Sequence, residues 1–418
     1  MKVWLLHIGE DLPVDGPQRL FRYGYLANAL QAHGHSVLRW APTFRHTTRE
    51  QRFTTDRRVE LTPHYSIQFV HAPGYRRTAS LARLRHCHIL GKRFGELVRR
   101  ESPPDLIVAA IPSLEWADAA TAYGRVHDVP TVVDVRDLWP DVFPSALPYG
   151  TRSLSSLFLH SYRRMARRAC SRADALCAVS ETYLSWALKH AGRTRRVGDL
   201  AVPLGFEPAD LPEDALHGRI TELVERGIDP RRPICFFAGG FERHHDFDAI
   251  VGAARMLAAR DTDNVQFVLC GGGSKLTAIR RQTAGMANFH LLGHVDAAML
   301  RAVASISVIG LCAYAPGAMM SLGNKPYEYM AGRLALVSSL PGELAQLLDR
   351  HNCGLTYRAG DGDSLAGCIA ELLQHPERLA AMRDNARATW ASHYRSRDVY
   401  DWFVAGLTSV ARTMVKAA

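Results

Sequence analysis

No apolar run in the 418 residues approaches the roughly 20 that a membrane-spanning helix needs, so no transmembrane segment is expected. The first residues, MKVWLLHIGEDLP, are too briefly apolar and turn acidic too soon for a secretory signal. They read as a first buried strand, and the expected location is cytoplasmic. Cysteine is sparse and scattered. Cys87, Cys170, Cys177, Cys235, Cys270, Cys312, Cys353 and Cys368 show no C-x-x-C spacing, and several lie in apolar stretches such as PICFFAGG, which favours reduced core thiols over disulfides or zinc. His86-Cys87-His88 invites a metal reading. Residues two apart do not share a helical face, however, and no second ligand cluster stands nearby, so the triplet is read as surface and no metal is expected. A Walker A motif is missing as well, which argues against ATP hydrolysis of the P-loop type.

What is present is ordinary for a globular protein, with 47% hydrophobic and 22% charged residues. The length predicts two domains of about 200 residues each. The net charge of +10 is unevenly spread. Arg76 to Arg100 holds eight basic residues against Glu96 alone, and Thr151 to Arg172 holds six arginines and no acid. The second stretch, interleaved with SLSSLFLHSY, reads as a basic amphipathic helix. It suits either a solvated face or an anionic membrane surface. No helix-turn-helix, RNP or zinc-finger pattern accompanies the charge, so nucleic acid is not an expected partner.

Short apolar runs at 3–9, 105–111, 131–137 and 175–180 alternate with amphipathic helical stretches, and the first of these helices is read over 18–34 with Gly34 as its stop. After VPLGFEP the pattern restarts, with runs at 233–240, 265–273, 289–295, 305–314 and 334–339. Such alternation predicts parallel sheets covered on both faces, in two tandem domains. Ligands of open α/β sheets bind beyond the carboxyl ends of the strands, so the expected site is an interdomain cleft.

Three strand-to-helix loops are candidates for an anion. DLPVDGP (11–17) brings the Gly16 backbone toward the first helix, although it is not a G-x-G-x-x-G. CGGGSK (270–275) offers close backbone approach and Lys275. GGFERHH (239–245) offers Arg243, suited to bidentate bonds with a diphosphate, beside His244 and His245. A fourth stretch, APGAMMSLGNKPYEYMAG, reads as a loop followed by a short helix whose N-terminus carries Lys325. Glu328, one turn on, can accept hydrogen bonds from a pair of ribose hydroxyls. The Asp361-Gly362-Asp363 triplet before SLAGCIAELL is read as a helix cap and not as a metal site.

NKPYEYMAGRLALVSS, PTVVDVRDLWPDVF and NFHLLGHVDAAML resemble retaining GT-B glycosyltransferases of family 4, and VRDLWP resembles bacterial O-antigen and capsule transferases of the L-fucosamine type. The resemblance runs from the first strand to about residue 390. It implies an α/β GT-B fold of two Rossmann-like domains facing an interdomain cleft: an acceptor-binding domain over 1–200, a nucleotide-sugar domain over 201–395, and a helix over 396–418 crossing back to the first. It implies a nucleotide-sugar donor, most simply a UDP-sugar, a glycan or polyprenyl-linked acceptor, and no obligatory metal or other cofactor. The basic stretches Arg76–Arg100 and Arg152–Arg172 fit a lipid-linked acceptor, with peripheral attachment to the inner face of the cell membrane.

Carried over, the resemblance gives Glu328 the ribose and the backbone of Gly293, His294 and Val295 the base. Gly16, Gly240, Gly272, Ser321, Leu322, Gly323 and Asn324 would line the donor. Arg243, Lys325, Arg136 and Asp137 are the catalytic candidates, with Asp137 orienting the acceptor hydroxyl or the sugar. Three positions depart from the pattern. Met320 stands where many members carry a first glutamate, the usual Arg…Lys pair is out of register at Arg243, and Arg136-Asp137 stands where many have a histidine. The implied chemistry is front-face substitution with retention. The rival readings are an epimerase acting on UDP-N-acetylglucosamine and a non-catalytic nucleotide- or glycan-binding protein.

Overall fold

The computed structural model describes residues 1–16, 19–77, 80–143, 152–260 and 264–415, with the backbone alone at 152–158, 260 and 414–415. The chain divides into two compact units. One is Met1–Pro203 joined by the chain from Arg397 onward, and the other is Leu204–Ser396.

The first unit contains β1 (Lys2–Leu6), β2 (Ser36–Pro42), a ribbon of β3 (Phe44–Arg45) and β4 (Glu50–Gln51), β5 (Arg57–Thr62), β6 (Tyr65–Val70), β7 (Leu106–Ile111), β8 (Thr131–Val135), β9 (Ala175–Ala178) and β10 (Leu200–Ala201). Eight of these strands form one sheet in the order β10-β9-β8-β7-β1-β2-β6-β5, parallel throughout except for the antiparallel β5–β6 pair. Helices α1 (Arg22–Ala32), α2 (Leu81–Leu97), α3 (Leu114–His127), α4 (Arg152–Arg172) and α5 (Glu181–Ala191) connect them. Because both faces are covered, the central strands are apolar without alternation, and every residue of β7 and β8 is buried.

Strands β2 and β6 escape a search for apolar runs. Arg39 interrupts the first, and Ser66 and Gln68 the second, yet all three are buried. Arg39 is tolerated there because it donates to Glu10 at 3.1 Å. The first helix starts at Arg22, four residues later than the sequence predicts, and Gly34 follows it with φ 75° as a stop residue should.

The C-terminal helix Ser396–Val415 belongs to the first unit's core. Val399, Tyr400, Phe403, Val404 and Leu407, spaced at three and four residues, pack with Leu26, Leu30 and Val3. Each such buried side chain contributes about 1.5–3 kcal/mol.

The second unit has β11 (Ile234–Ala238), β12 (Gln266–Cys270), β13 (Phe289–Gly293), β14 (Ile309–Cys312), β15 (Ala335–Ser338) and β16 (Gly354–Thr356), all parallel in the order β13-β12-β11-β14-β15-β16. Around them lie α6 (Glu213–Glu225), α7 (Phe247–Arg260), α8 (Leu276–Gln282), α9 (Ala297–Ile306), α10 (Asn324–Ala331), α11 (Glu343–His351), α12 (Gly362–Gln374) and α13 (Pro376–His393). Asp361 caps α12, its carboxylate accepting from the Ser364 amide at 2.9 Å.

The His86-Cys87-His88 triplet lies in α2, where His88 is exposed as a surface reading expects, Cys87 is partly buried and His86 turns inward. His86 is 2% exposed and its Nδ1 bonds Pro73 O at 2.8 Å, while burial pushes the Cys87 thiol up to about 12. All eight cysteines are free thiols.

Candidate functional site

In the second unit the strand order reverses between β11 and β14, the place where such sheets take ligands. Three glycine loops meet there. The Gly239 amide donates to Cys270 O at 3.0 Å, that of Phe241 to Gly272 O at 2.8 Å, and that of Gly271 to Gly293 O at 2.7 Å. Gly271 sits at φ 136°, and a β-carbon on it would lie 1.9 Å from Gly239 O. No other residue fits. A β-carbon on Gly272 would lie 2.8 Å from His294 Nε2, so the loops after β12 and β13 are in contact.

Lys325 completes this edge from the first turn of α10. Its ammonium lies 2.7 Å from where a β-carbon on Gly239 would be, and 4.9 Å from the centre of the Phe237 ring. It is 2.9 Å from His245 Nε2. The other ring nitrogen, Nδ1, is 2.8 Å from Gly240 O, a carbonyl that only accepts, so Nδ1 carries the proton and Nε2 accepts from the lysine. Burial first, and then the Lys325 charge, hold this imidazole neutral down to about pH 2. A fixed cation beside the amides of a helix start makes this edge electropositive.

Glu328 follows one turn later in α10 and is partly buried. Gly323 caps the helix, packed so that a β-carbon would lie 3.1 Å from both Met320 Sδ and Tyr314 Oη. Ser321 is buried, and its hydroxyl donates to Glu343 at the start of α11, which ties the loop ahead of α10 to the next helix. Leu322 is partly buried, Asn324 and His294 are exposed, and Val295 is partly buried. Arg243 is exposed on the loop that bears Gly240. Lys275 is drawn to Asp248, 4.0 Å away. Among the described residues, no group of three or more His, Cys, Asp or Glu is arranged to hold a metal ion.

Gly16, Arg136 and Asp137 belong to the first unit. Gly16 does not open α1 as the sequence predicts. It ends a single 3-10 turn at Pro13–Asp15, with φ 94°, and the helix begins six residues further on. Asp137 accepts the amides of Leu138 and Trp139, and burial pushes its carboxyl up. Arg136 bonds Glu10 and His7 at 2.5 and 2.8 Å.

The sequence reading passed over the charges beneath these residues. Asp134, inside β8, takes both Arg22 Nε and Nη2 at 2.8 Å, and neither side chain is exposed. Glu10 takes Arg39, Arg136 and the Tyr23 amide. The available signal was a charged residue in the middle of an apolar strand, as in TVVDV and VLRWAP.

Residues 22–198 match the family model described as a glycosyl transferase 4-like domain, and residues 232–375 match glycosyl transferases group 1. No curated protein sequence matches the chain. Among solved structures, sucrose-phosphate synthase from Thermosynechococcus elongatus is similar over 100% of both chains, at 14% identity and TM-score 0.72. HepE of Anabaena, solved with UDP-glucose, covers 98% of this chain and 100% of its own at 15% identity and TM-score 0.66. WaaG, described as a glycosyltransferase involved in lipopolysaccharide biosynthesis, covers 96% of this chain and 99% of its own at 12% identity and TM-score 0.63.

With a glycosyltransferase domain matched in each unit and this fold around them, the chain is a glycosyltransferase of the GT-B class.

Proposed function

We propose that the chain is a retaining glycosyltransferase that moves a sugar from a nucleoside diphosphate donor, a UDP-sugar first among candidates, to a glycan or lipid-linked acceptor in surface polysaccharide synthesis. The observation that carries the reading is Lys325, held over Gly239 by a neutral His245 at the start of α10. In this account the diphosphate lies on the glycine loops and Glu328 accepts the ribose hydroxyls. As the bond from the anomeric carbon to the diphosphate oxygen breaks, charge grows on the leaving oxygens, and Lys325, Arg243 and the α10 amides stabilise it. The acceptor hydroxyl attacks the same face, and the leaving oxygen takes its proton. No metal is assigned a part. The solved HepE complex with UDP-glucose and the description of WaaG support the donor and the pathway class.

Glu328→Gln tests the ribose assignment. Turnover and UDP-sugar affinity are expected to fall together by about tenfold, the size of one good hydrogen bond to a charged group. Unchanged affinity would remove Glu328 from the site.

The basic stretches are proposed to meet an anionic membrane surface. In α4, Arg163 is engaged by Asp141, and Arg168 and Arg172 by Asp118, while Arg164 and Arg167 stay exposed. Among the described residues, no helix is long and apolar enough to cross a membrane. Arg164→Glu with Arg167→Glu is expected to weaken co-sedimentation with phosphatidylglycerol vesicles by at least about thirtyfold, at roughly 1 kcal/mol per basic residue lost. Undiminished binding would contradict the assignment.

A further inference from the structure

At the carboxyl edge of the first unit, one guanidinium is fastened at one end and open at the other. Arg136 follows β8, and its amide donates to Ile111 O, the last residue of β7, at 3.1 Å. The side chain then crosses the end of β7 to reach the chain leaving β1, where Nη1 donates to Glu10 Oε1 at 2.5 Å and to His7 Nε2 at 2.8 Å. The sheet runs β8-β7-β1-β2, so its order reverses between β1 and β7. Arg136 therefore lies across the point at which an α/β sheet takes its ligand.

Its anchor is rigid. Glu10 also accepts from Arg39 Nη2 at 3.1 Å and from the Tyr23 amide in the first turn of α1, and its side chain is only 5% exposed. Arg39 and Arg136 share the single carboxylate of Glu10. His7 adds no charge, since burial and the Arg136 charge keep it neutral.

The open end is the Nε–Nη2 edge. Nε is shielded from solvent and has no hydrogen-bond partner, and among the described residues none reaches Nη2. This edge forms the fork that takes two oxygens of a carboxylate or phosphate in parallel. A shielded N–H left unpaired is unfavourable, and a ligand oxygen would relieve that. The side chain is 18% exposed and Nη2 is not among its shielded nitrogens, so the open end is reached through Nη2, with Nε behind it.

We propose that Arg136 reads an anionic group, a carboxylate or phosphate, on the sugar acceptor, and that Glu10 is the positioning residue that aims it. The proposal rests on the transferase reading above, with the acceptor on the first unit. It assigns a substrate class to that reading: the acceptor is an acidic sugar or a sugar phosphate.

Isothermal titration of the full chain with sodium glucuronate, glucose 6-phosphate and glucose tests this. The wild type is expected to bind one of the charged sugars at least about tenfold more tightly than glucose, as a bidentate charge-assisted pair gives. Preference for glucuronate names a carboxylate, and preference for the phosphate names a phosphoryl group. Arg136→Gln should abolish the preference. Arg136→Lys should keep only part of it, because the charge remains without the fork. Glu10→Gln should weaken it although Arg136 is still present. Equal binding of glucose, no binding of any of the three by the wild type, or an unaltered preference in Arg136→Gln would overturn the proposal. Stabilisation by UDP, measured on the same samples, reports on the donor site in the other unit. A UDP response without charged-sugar preference sinks this inference alone. Preference without a UDP response supports the anion site and sinks the donor reading.

Discussion

The second unit makes its carboxyl edge from backbone: glycines at 239, 271, 272 and 293 pack loop against loop, and one lysine is laid over them by a histidine. The first unit makes the corresponding edge from side chains, with Glu10, Arg39 and Arg136 in one cluster and Arg22 with Asp134 in another. Both sheets share the doubly wound plan, yet one edge is glycine backbone under a single lysine and the other a buried lattice of charged side chains. A cradle of amides accepts any phosphate of the right length. A lattice of fixed guanidinium groups discriminates by charge and by the spacing of two oxygens. Donors of one class entering the second unit, and a more selected acceptor on the first, are what this difference would serve.

The comparison can be broken by substitution on either side. Asp134→Ala leaves Arg22 as an uncompensated buried charge and should cost about 3–5 kcal/mol, read as a fall in the denaturation midpoint. A loss under 1 kcal/mol would show that the pair is not buried in solution. Gly271→Ala drives a β-carbon to 1.9 Å from Gly239 O at φ 136°, and about 2–3 kcal/mol should be lost. UDP binding should fall with it, whereas the Asp134 change should spare binding by molecules that stay folded. Equal effects on UDP affinity would erase the distinction between the edges.

Acid sharpens the comparison further. His245 has a folded value near 2, below the ordinary 6.5. The unfolded chain therefore binds a proton that the folded one refuses, and stability falls as the pH drops below about 6.5, by up to about 1.4 kcal/mol per unit. Glu10, held near 2 against an ordinary 4.5, adds loss only as the pH falls below about 4.5. His245→Asn keeps an acceptor for Lys325 and removes the titration, so its stability curve should be flatter between pH 6 and 5 in urea melts, roughly the upper part of that window. His7, whose ordinary value burial also depresses, keeps some slope in both chains. An unchanged slope would mean that His245 is accessible to protons when folded.

Much of the second unit was legible in the sequence because backbone-built sites leave glycines and helix starts in view. CGGGSK and GGFERHH each fall between a strand and a helix as read, NKPYEYMA forms the short helix read after its loop, and the capping role of Asp361 is visible in its spacing. The first unit hid more. Its β2 carries a buried arginine whose partner is far away in sequence: Glu10 lies 29 residues from Arg39, and the same carboxylate takes Arg136, 126 residues on. A run-based reading takes such residues for surface until the fold brings the partner. Gly16 misled for a related reason, since a 3-10 turn inserted before α1 moves it away from the helix start.

The most direct test of the central claim is the thermal shift of the wild-type chain and of Lys325→Ala with UDP, with and without EDTA. The account predicts clear stabilisation of the wild type, untouched by EDTA, and a response in Lys325→Ala weakened by about 10²-fold in apparent affinity, the scale on which a preorganised charge acts. An equal UDP response in both chains would contradict it, because the cation held over Gly239 would then have no part in holding the diphosphate.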